Sequence, residues 1–407
     1  MTVNAPEPKV IDMHVHVGLR GDTLGQWGHF SDWYMRQPVF AVFLLYSGLR
    51  KDQLTDAKIR AATERTIAEA EVDHVVCLAL DPAYDKAGRR LERECHMWVA
   101  NEYIVELRRR LGPKVLFGAS VHPYDPDFQR RVRDVVDQGA VLLKWLPSAQ
   151  HINLADPRVK DALAFLATAG HGGKPLPLLL HVGAEYAIPP IDPKAKSYDF
   201  LSWSRLEDWW NRLANHWYRP DVATVRENLR SGLDAGATII FAHCGLPYFA
   251  SGPLGFLEHN DFPVVAQLVA EYRASGDGHQ PSGKKVGRAF ADVSSFCTPL
   301  RKAWFPDVKR LPPGSLLAGS DFPVPVFELS ADADERKRDL KAAVLEGKVE
   351  RLVVPQGNLL DVNLRELRAH FGFYHPMFTN FWRLMTHAGE DAAVDRTALN
   401  GLRVLGG

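Results

Sequence analysis

Cysteine is scarce in this chain. Cys77, Cys95, Cys244 and Cys297 are the only four in 407 residues, and no two of them form a Cys-x-x-Cys pair. Three fall within or just after apolar runs, where a reduced cysteine behaves as a small hydrophobe. This usage argues against structural disulfides. Net charge is also missing, since 49 Lys and Arg balance 49 Asp and Glu. That balance argues against a nucleic-acid or anionic-membrane partner. No apolar run approaches the roughly 20 residues that span a bilayer. The opening MTVNAPEPKV has no basic region leading into an apolar core, so no secretory signal is visible and a cytoplasmic location is expected. Low-complexity tracts, solenoid-type repeats and a Gly-x-Gly-x-x-Gly after the first strand are likewise lacking.

What is present is a succession of short runs rich in Val, Ile, Leu and Phe. They cover Val10–Val17, His74–Leu80, Val115–Val121, Ala140–Leu146, Leu178–Val182, Thr238–Ala242, Ala289–Val293 and Leu316–Ala318. Most lack polar alternation, as expected of strands covered on both faces of a parallel sheet. Helical patterns lie between them at Asp56–Glu71, Cys95–Leu111, Asp127–Gln138, Pro157–Ala169, Asp221–Ala235 and Pro263–Ala274. Eight strands alternating with helices predict an α/β fold, a (β/α)8 TIM barrel. A doubly wound open sheet is the competing reading.

The chain exceeds the roughly 250 residues of a bare barrel. The excess falls in long βα-loop insertions. Gly18–Thr55 carries Trp27, Phe30, Trp33, Tyr34, Phe40, Phe43 and Tyr46; Ala184–Tyr218 carries Trp203, Trp209, Trp210 and Trp217; Leu246–Asn260 is the third. Such loops rise over the mouth where barrel active sites form, so they are expected either to wall a substrate or to pack as extra helices or an oligomer contact. A charged helix is expected near Ala331–Glu346, and Gly357–Asn363 is expected to close the barrel. Residues 1–363 are read as the barrel domain and 364–407 as a helical extension that packs on it or on a second subunit, which makes a homodimer compatible with the sequence.

The polar residues at the ends of the apolar runs carry the chemistry. The first run ends Asp12-Met13-His14-Val15-His16, and residues two apart in a strand share a face. Further runs end in His181, His243 and Asp321, one carries Lys144, and another ends in His122. One histidine in an apolar run is ordinarily a hydrogen-bonded core residue. Four strands ending in His, one in Asp and one carrying Lys at one level of one barrel are a different matter, because burying that many ionisable groups without a cation costs several kcal/mol each. Imidazole and carboxylate are ligands that zinc prefers. Trp145, Tyr124, Asp81 and Tyr248 lie near the mouth, where a structural role and a substrate contact compete.

This set of motifs resembles the amidohydrolase superfamily, and is most similar to the amidohydrolase-related branch that includes aminocarboxymuconate-semialdehyde decarboxylase and the resorcylate decarboxylases. The resemblance spans roughly Val10 to Asn358. It implies that His14, His16 and Asp321 hold a first divalent ion, by default zinc, which activates a water for attack, with Asp321 as general acid/base. Two arrangements remain open. In one, a carbamylated Lys144 bridges to a second ion held by His181 and His243. In the other, His181 joins the single ion, His243 contacts the water, and Lys144 is free to grip a substrate anion. The mononuclear form is slightly favoured for this branch.

The expected activity is metal-dependent hydrolysis of an amide, ester or lactone of a small organic molecule. The alternative is non-oxidative decarboxylation of an aromatic or muconate-like acid, for which Arg20 and Arg36 are the available grips. A non-catalytic metal-binding protein is a third reading, disfavoured because every ligand position is filled.

Overall fold

The computed structural model describes residues 8–51, 54–185, 187–204, 206, 221–247, 259–272, 287–296, 298, 301–324, 338, 342, 348 and 356–386. Its strands are β1 (Ile11–His16), β2 (Gly28–Phe30), β3 (His74–Leu78), β4 (Met97–Val99), β5 (Val115–Ala119), β6 (Ala140–Trp145), β7 (Leu178–Leu180), β8 (Thr238–Phe241), β9 (Arg288–Asp292) and β10 (Leu316–Leu317). The longer helices are α1 (Pro38–Tyr46), α2 (Asp56–Glu69), α3 (Asn101–Leu111), α4 (Phe128–Asp137), α5 (Pro157–Leu166), α6 (Val222–Asp234), α7 (Phe262–Glu271), α8 (Leu359–Phe371) and α9 (Met377–Thr386).

Eight strands pair in parallel in the order β1-β3-β5-β6-β7-β8-β9-β10. The sheet closes on itself. The Met13 amide donates to the Ala318 carbonyl at 3.2 Å, the His16 amide to Phe322 at 2.8 Å, and Asp321 back to His14 at 2.8 Å. The expected (β/α)8 TIM barrel is therefore the fold, and the open-sheet reading falls. Gly357–Asn363 opens α8, with the Asn358 side chain capping it by accepting the Leu360 amide. Asn358 Nδ2 also donates to Thr66 in α2, and Asp361 accepts the Glu71 amide, so the ring of helices closes here.

Two apolar layers follow from the pleat. One face of each strand packs against the helices, as Val15, Cys77, Phe117, Leu143, Leu180 and Phe241 do. The other fills the lumen with Ile11, Met13, Val76, Leu78, Leu116, Leu142, Leu179, Ile240, Phe290 and Leu317. Phe381 and Leu384 of α9 join that lumen cluster, so α9 stoppers the barrel at the N-terminal ends of the strands. Of the aromatic segment at Phe371–Trp382, Phe378, Phe381 and Trp382 pack on the barrel, while Phe373 and Tyr374 are exposed.

β1 is not a regular strand. Asp12 pairs with Val75 and Val15 with Cys77, so β1 carries one extra residue, a β-bulge. Below the bulge, Ile11 and Met13 face the lumen. Above it, Val15 faces the helices, leaving His14 and His16 inward. A second bulge, between the pairs Phe117–Ala140 and Gly118–Leu142, precedes Lys144 on β6.

The first long insertion forms β2, a single helical turn at Asp32–Met35, and α1. β2 pairs antiparallel with β4, with His29 opposite Trp98. The expected helix Cys95–Leu111 therefore starts only at Asn101, because Met97–Val99 is drawn into this tertiary pairing. Buried Asp56, at the head of α2, ties the insertion down. Its carboxylate accepts the amides of Arg20 (2.7 Å), Gly21 (3.0 Å), Thr23 (2.8 Å) and Leu24 (2.8 Å). Tyr34, Phe40 and Leu44 then pack with Ile59, Leu80, Leu146 and Ile188 over the mouth. The expected helix near Ala331–Glu346, Trp209, Trp210, Trp217, Tyr248 and Cys297 fall outside the described residues, apart from Arg338 and Ala342 within that helix.

Candidate metal centre

All six singled-out residues sit at the C-terminal end of the barrel. His14 and His16 come from β1, Lys144 from β6, and His181, His243 and Asp321 from the turns after β7, β8 and β10. His14, Lys144, His181, His243 and Asp321 are each under one-tenth exposed.

The donor atoms of three of them converge. His14 Nε2 lies 3.1 Å from His16 Nε2, and Asp321 Oδ1 lies 3.4 Å from the first and 3.3 Å from the second. Neighbouring ligands of a tetrahedral ion with bonds near 2.1 Å are about 3.4 Å apart. All three edges match, so the donor set fits a divalent cation. Lys144 Nζ approaches His14 Nε2 at 3.3 Å, and His243 Nε2 approaches Asp321 Oδ2 at 3.7 Å.

A second rank of residues fixes the imidazoles. His14 Nδ1 lies 2.8 Å from Asp292 Oδ2, and both side chains are fully buried. The Ser294 hydroxyl donates to Asp292 Oδ1, which also accepts the amides of His243 (3.1 Å) and Ser294 (2.9 Å). With its proton committed, Ser294 Oγ accepts from His243 Nδ1 at 2.9 Å. Both rings therefore carry hydrogen on Nδ1 and present the Nε2 lone pair to the site.

The protonation states suit a cation. Burial holds His14 well below the ordinary imidazole range, with Lys144 adding to it. Burial does the same for His181, reinforced by His243 and Lys144, and for His243, reinforced by Arg301. Burial pushes the Asp321 carboxyl up, but His14, His16 and Lys144 outweigh it and hold it below its usual range. Burial also lowers the Lys144 ammonium. Neutral imidazoles and an ionised carboxylate are what metal ligation requires.

Backbone strain gathers at the same place. His243 (φ 53°), Cys244 (φ 56°), Ser295 (φ 63°) and Asp321 (φ 61°) all adopt the left-handed conformation. Non-glycine residues persist there where surrounding contacts over-determine them, a pattern associated with functional sites.

Above the donors opens a cavity of about 110 Å³. Its floor includes His16, Lys144, His181, Glu185, His243 and Asp321, and its walls include Phe30, Tyr34, Phe40, Phe43, Leu44 and Ile188. The aromatic insertion after β1 thus serves both roles foreseen for it, packing as extra structure and walling the cavity. Lys144 is the one Lys or Arg among the described lining residues; Arg20 and Arg36 do not line it.

Other sequence candidates are structural. His122 stacks on Tyr84 at 4.3 Å, its Nε2 donates to the Gln150 carbonyl at 2.8 Å, and its Nδ1 accepts the Tyr124 amide. Trp145 packs in the helix-side layer and donates to the Val121 carbonyl. Asp81 pairs with Arg131 at 3.0 Å, and Tyr124 lies under Arg158. Sequence reasoning passed over Asp292, Ser294 and Glu185. The signal for Asp292 was a lone carboxylate inside the apolar run Ala289–Val293.

No family model matches the chain, and no curated protein matches it. Among solved structures, it is similar to a probable 2-pyrone-4,6-dicarboxylic acid hydrolase from Acinetobacter baumannii with citric acid bound, at 14% identity and TM-score 0.40 over 89% of this chain and 99% of that one. A 5-carboxyvanillate decarboxylase mutant from Novosphingobium aromaticivorans with bound manganese has 12% identity and TM-score 0.40 over 82% of this chain and 91% of that one. An N-acetyl-D-glucosamine-6-phosphate deacetylase from Mycobacterium smegmatis has 11% identity and TM-score 0.34 over 92% of this chain and 78% of that one. At these distances the comparisons assign neither a family nor a reaction.

Proposed function

We propose that the chain is a metal-dependent hydrolase of the amidohydrolase type, acting on an amide, ester or lactone of a small, apolar, uncharged molecule. The observation that carries this reading is the His14–His16–Asp321 donor triangle, with edges of 3.1 to 3.4 Å, at the floor of an apolar-walled cavity. His14, His16 and Asp321 would hold a divalent ion, zinc by default. Bound there, such an ion supplies Lewis acidity that makes a water more acidic and a carbonyl more electrophilic.

The chain's own groups do the rest. Asp321 is positioned to take the proton of the attacking water and hand it to the leaving group, a general-acid/base role. His243, whose Nδ1 hydrogen is committed to Ser294, offers its Nε2 lone pair beside Asp321 Oδ2, where it can accept a hydrogen bond from the attacking water and orient it. Phe30, Tyr34, Phe40 and Phe43 keep bulk water from the reacting carbonyl and favour an uncharged substrate body. The decarboxylase alternative calls for a cationic grip on a carboxylic acid, and Arg20 and Arg36 stand away from the cavity. Among the described residues that line the cavity, Lys144 is the one Lys or Arg.

The test is metal content per chain on protein purified without chelators, followed by product analysis with neutral esters, lactones and amides. A bound divalent ion and a new carboxyl group in the product are expected. Carbon dioxide release from aromatic acids would replace hydrolase by carboxy-lyase, and a protein that takes up no metal would remove both readings.

A further inference from the structure

Glu185 and His181 face one another at the edge of the cavity without bonding. His181 Nε2 is buried and makes no hydrogen bond. It lies 3.5 Å from Glu185 Oε2, and the Glu185 side chain is 8% exposed. The other carboxylate oxygen is committed: Oε1 accepts the amides of Ala187 (2.5 Å) and Ile188 (3.0 Å). Those two bonds clamp the carboxylate so that Oε2 is presented to the cavity in a fixed position.

Their separation has a simple reading. It equals, within 0.1 Å, the roughly 3.4 Å edge between adjacent ligands of one tetrahedral ion, and it matches the edges of the His14–His16–Asp321 triangle. His181 does not belong to that triangle. The donor atoms of His14, His16 and Asp321 all lie within 4.8 Å of one another, and His181 does not join the set. Ligands of one ion with bonds near 2.1 Å are at most about 4.2 Å apart. In this geometry His181 cannot share the ion with all three.

We propose that Glu185 is a metal ligand, and that its Oε2 and His181 Nε2 form two corners of a second cation site beside the first. The class of ligand is a divalent ion that accepts mixed nitrogen and oxygen donors, such as zinc or manganese. Burial raises the Glu185 carboxyl above its usual range; a cation bound there would offset that and give the site a negative ligand without any modification of Lys144. With two protein ligands recognised, the second site is more open than the first and binds its ion more weakly. The inference rests on the metal-centre reading above and adds a ligand to it.

The test uses the full chain, stripped with a chelator and dialysed against increasing Mn²⁺. Bound manganese is counted by elemental analysis, and spin coupling between neighbouring ions is read by electron paramagnetic resonance. Wild-type protein is expected to bind two ions, the second at least tenfold more weakly, with a coupled-pair signal at saturation. Glu185→Gln keeps an oxygen for the Ala187 and Ile188 amides. It is expected to bind one ion at the wild-type first-site affinity and to lose the coupled signal. His181→Asn is expected to do the same, and stands in if the first variant does not fold. Wild-type saturation at one ion, or two ions at wild-type affinity in both variants, would overturn the second site while leaving a one-metal hydrolase intact. No binding at all would bring down the metal-centre reading itself.

Discussion

His14 Nδ1 and Asp292 Oδ2 are 2.8 Å apart, and neither side chain reaches solvent. The carboxylate thereby decides which nitrogen of His14 carries hydrogen, and hence which one faces the centre of the site. Asp292→Asn keeps the shape and removes the charge. Loss of such a carboxylate behind a ligating histidine typically costs about 10- to 100-fold in metal affinity. That drop is expected here in a competition titration with a chelating dye. Unchanged affinity would mean that His14 is oriented by something else.

Gly319 tests the same wall from the other side. A methyl group there would stand 2.8 Å from His14 Cβ and 3.2 Å from Ser294 Cβ, both on rigid backbone. Gly319→Ala is expected to displace His14, destabilising the metal-free protein by about 1–3 kcal/mol as an overpacked core. Metal affinity should fall together with the melting temperature. An alanine variant with wild-type melting and wild-type metal content would show that the rim is softer than its packing suggests.

The cap over the mouth hangs on one carboxylate. Asp56→Ala removes the acceptor for four backbone amides, those of Arg20, Gly21, Thr23 and Leu24. The expected loss is about 3 kcal/mol, since unpaired buried donors cost about 1–3 kcal/mol each but water can reach some of them once the loop loosens. Limited proteolysis between Gly18 and Thr55 should accelerate while metal content stays at the wild-type level. Loss of bound metal as well would mean that the insertion and the ion site are one cooperative unit.

The barrel was legible because its signal is spread over many residues. Eight runs of Val, Ile, Leu and Phe each predicted a strand, and each of the eight barrel strands lies within its run or overruns it by one residue. The histidine pair was legible because a two-residue spacing guarantees a common face on any strand. What was not legible depends on contacts between distant segments. Met97–Val99 reads as the start of a helix until β2 arrives to pair with it. Asp292 reads as an interruption in an apolar run until His14 is placed opposite it. Glu185 lies five residues beyond its strand in a loop without periodicity, so only the folded loop reveals that it turns back toward His181.

Acid sensitivity should be traceable in part to a histidine outside the candidate ligand set. Burial holds His122 down to about 3, against 6.5 for an ordinary imidazole. Between those values the unfolded chain binds a proton that the folded chain does not. Its contribution to stability is therefore complete above pH 6.5 and is lost as pH falls toward 3, at up to about 1.4 kcal/mol per pH unit. His122→Gln offers a donor to the Gln150 carbonyl and an acceptor to the Tyr124 amide, without the titration. Urea unfolding at pH 4, 5 and 6 should show a shallower pH dependence in the variant. A slope equal to wild type would assign the acid sensitivity to other groups.

The extra residue in β1 acts as a depth gauge. A regular pleat running up from Ile11 would turn residues 13 and 15 inward and send both histidines into the helix layer. With the bulge, Met13 adds a further apolar storey to the lumen and His14 begins the polar floor directly above it. Deleting Met13 would restore an even pleat and keep both histidines facing inward. It would also lower them by one strand residue, about 3.3 Å, while Asp321 and His243 stayed at their own heights. The level at which the donors meet is thus set by counting residues below the site, and insertions or deletions in β1 should be felt as changes in metal binding before they are felt as changes in fold.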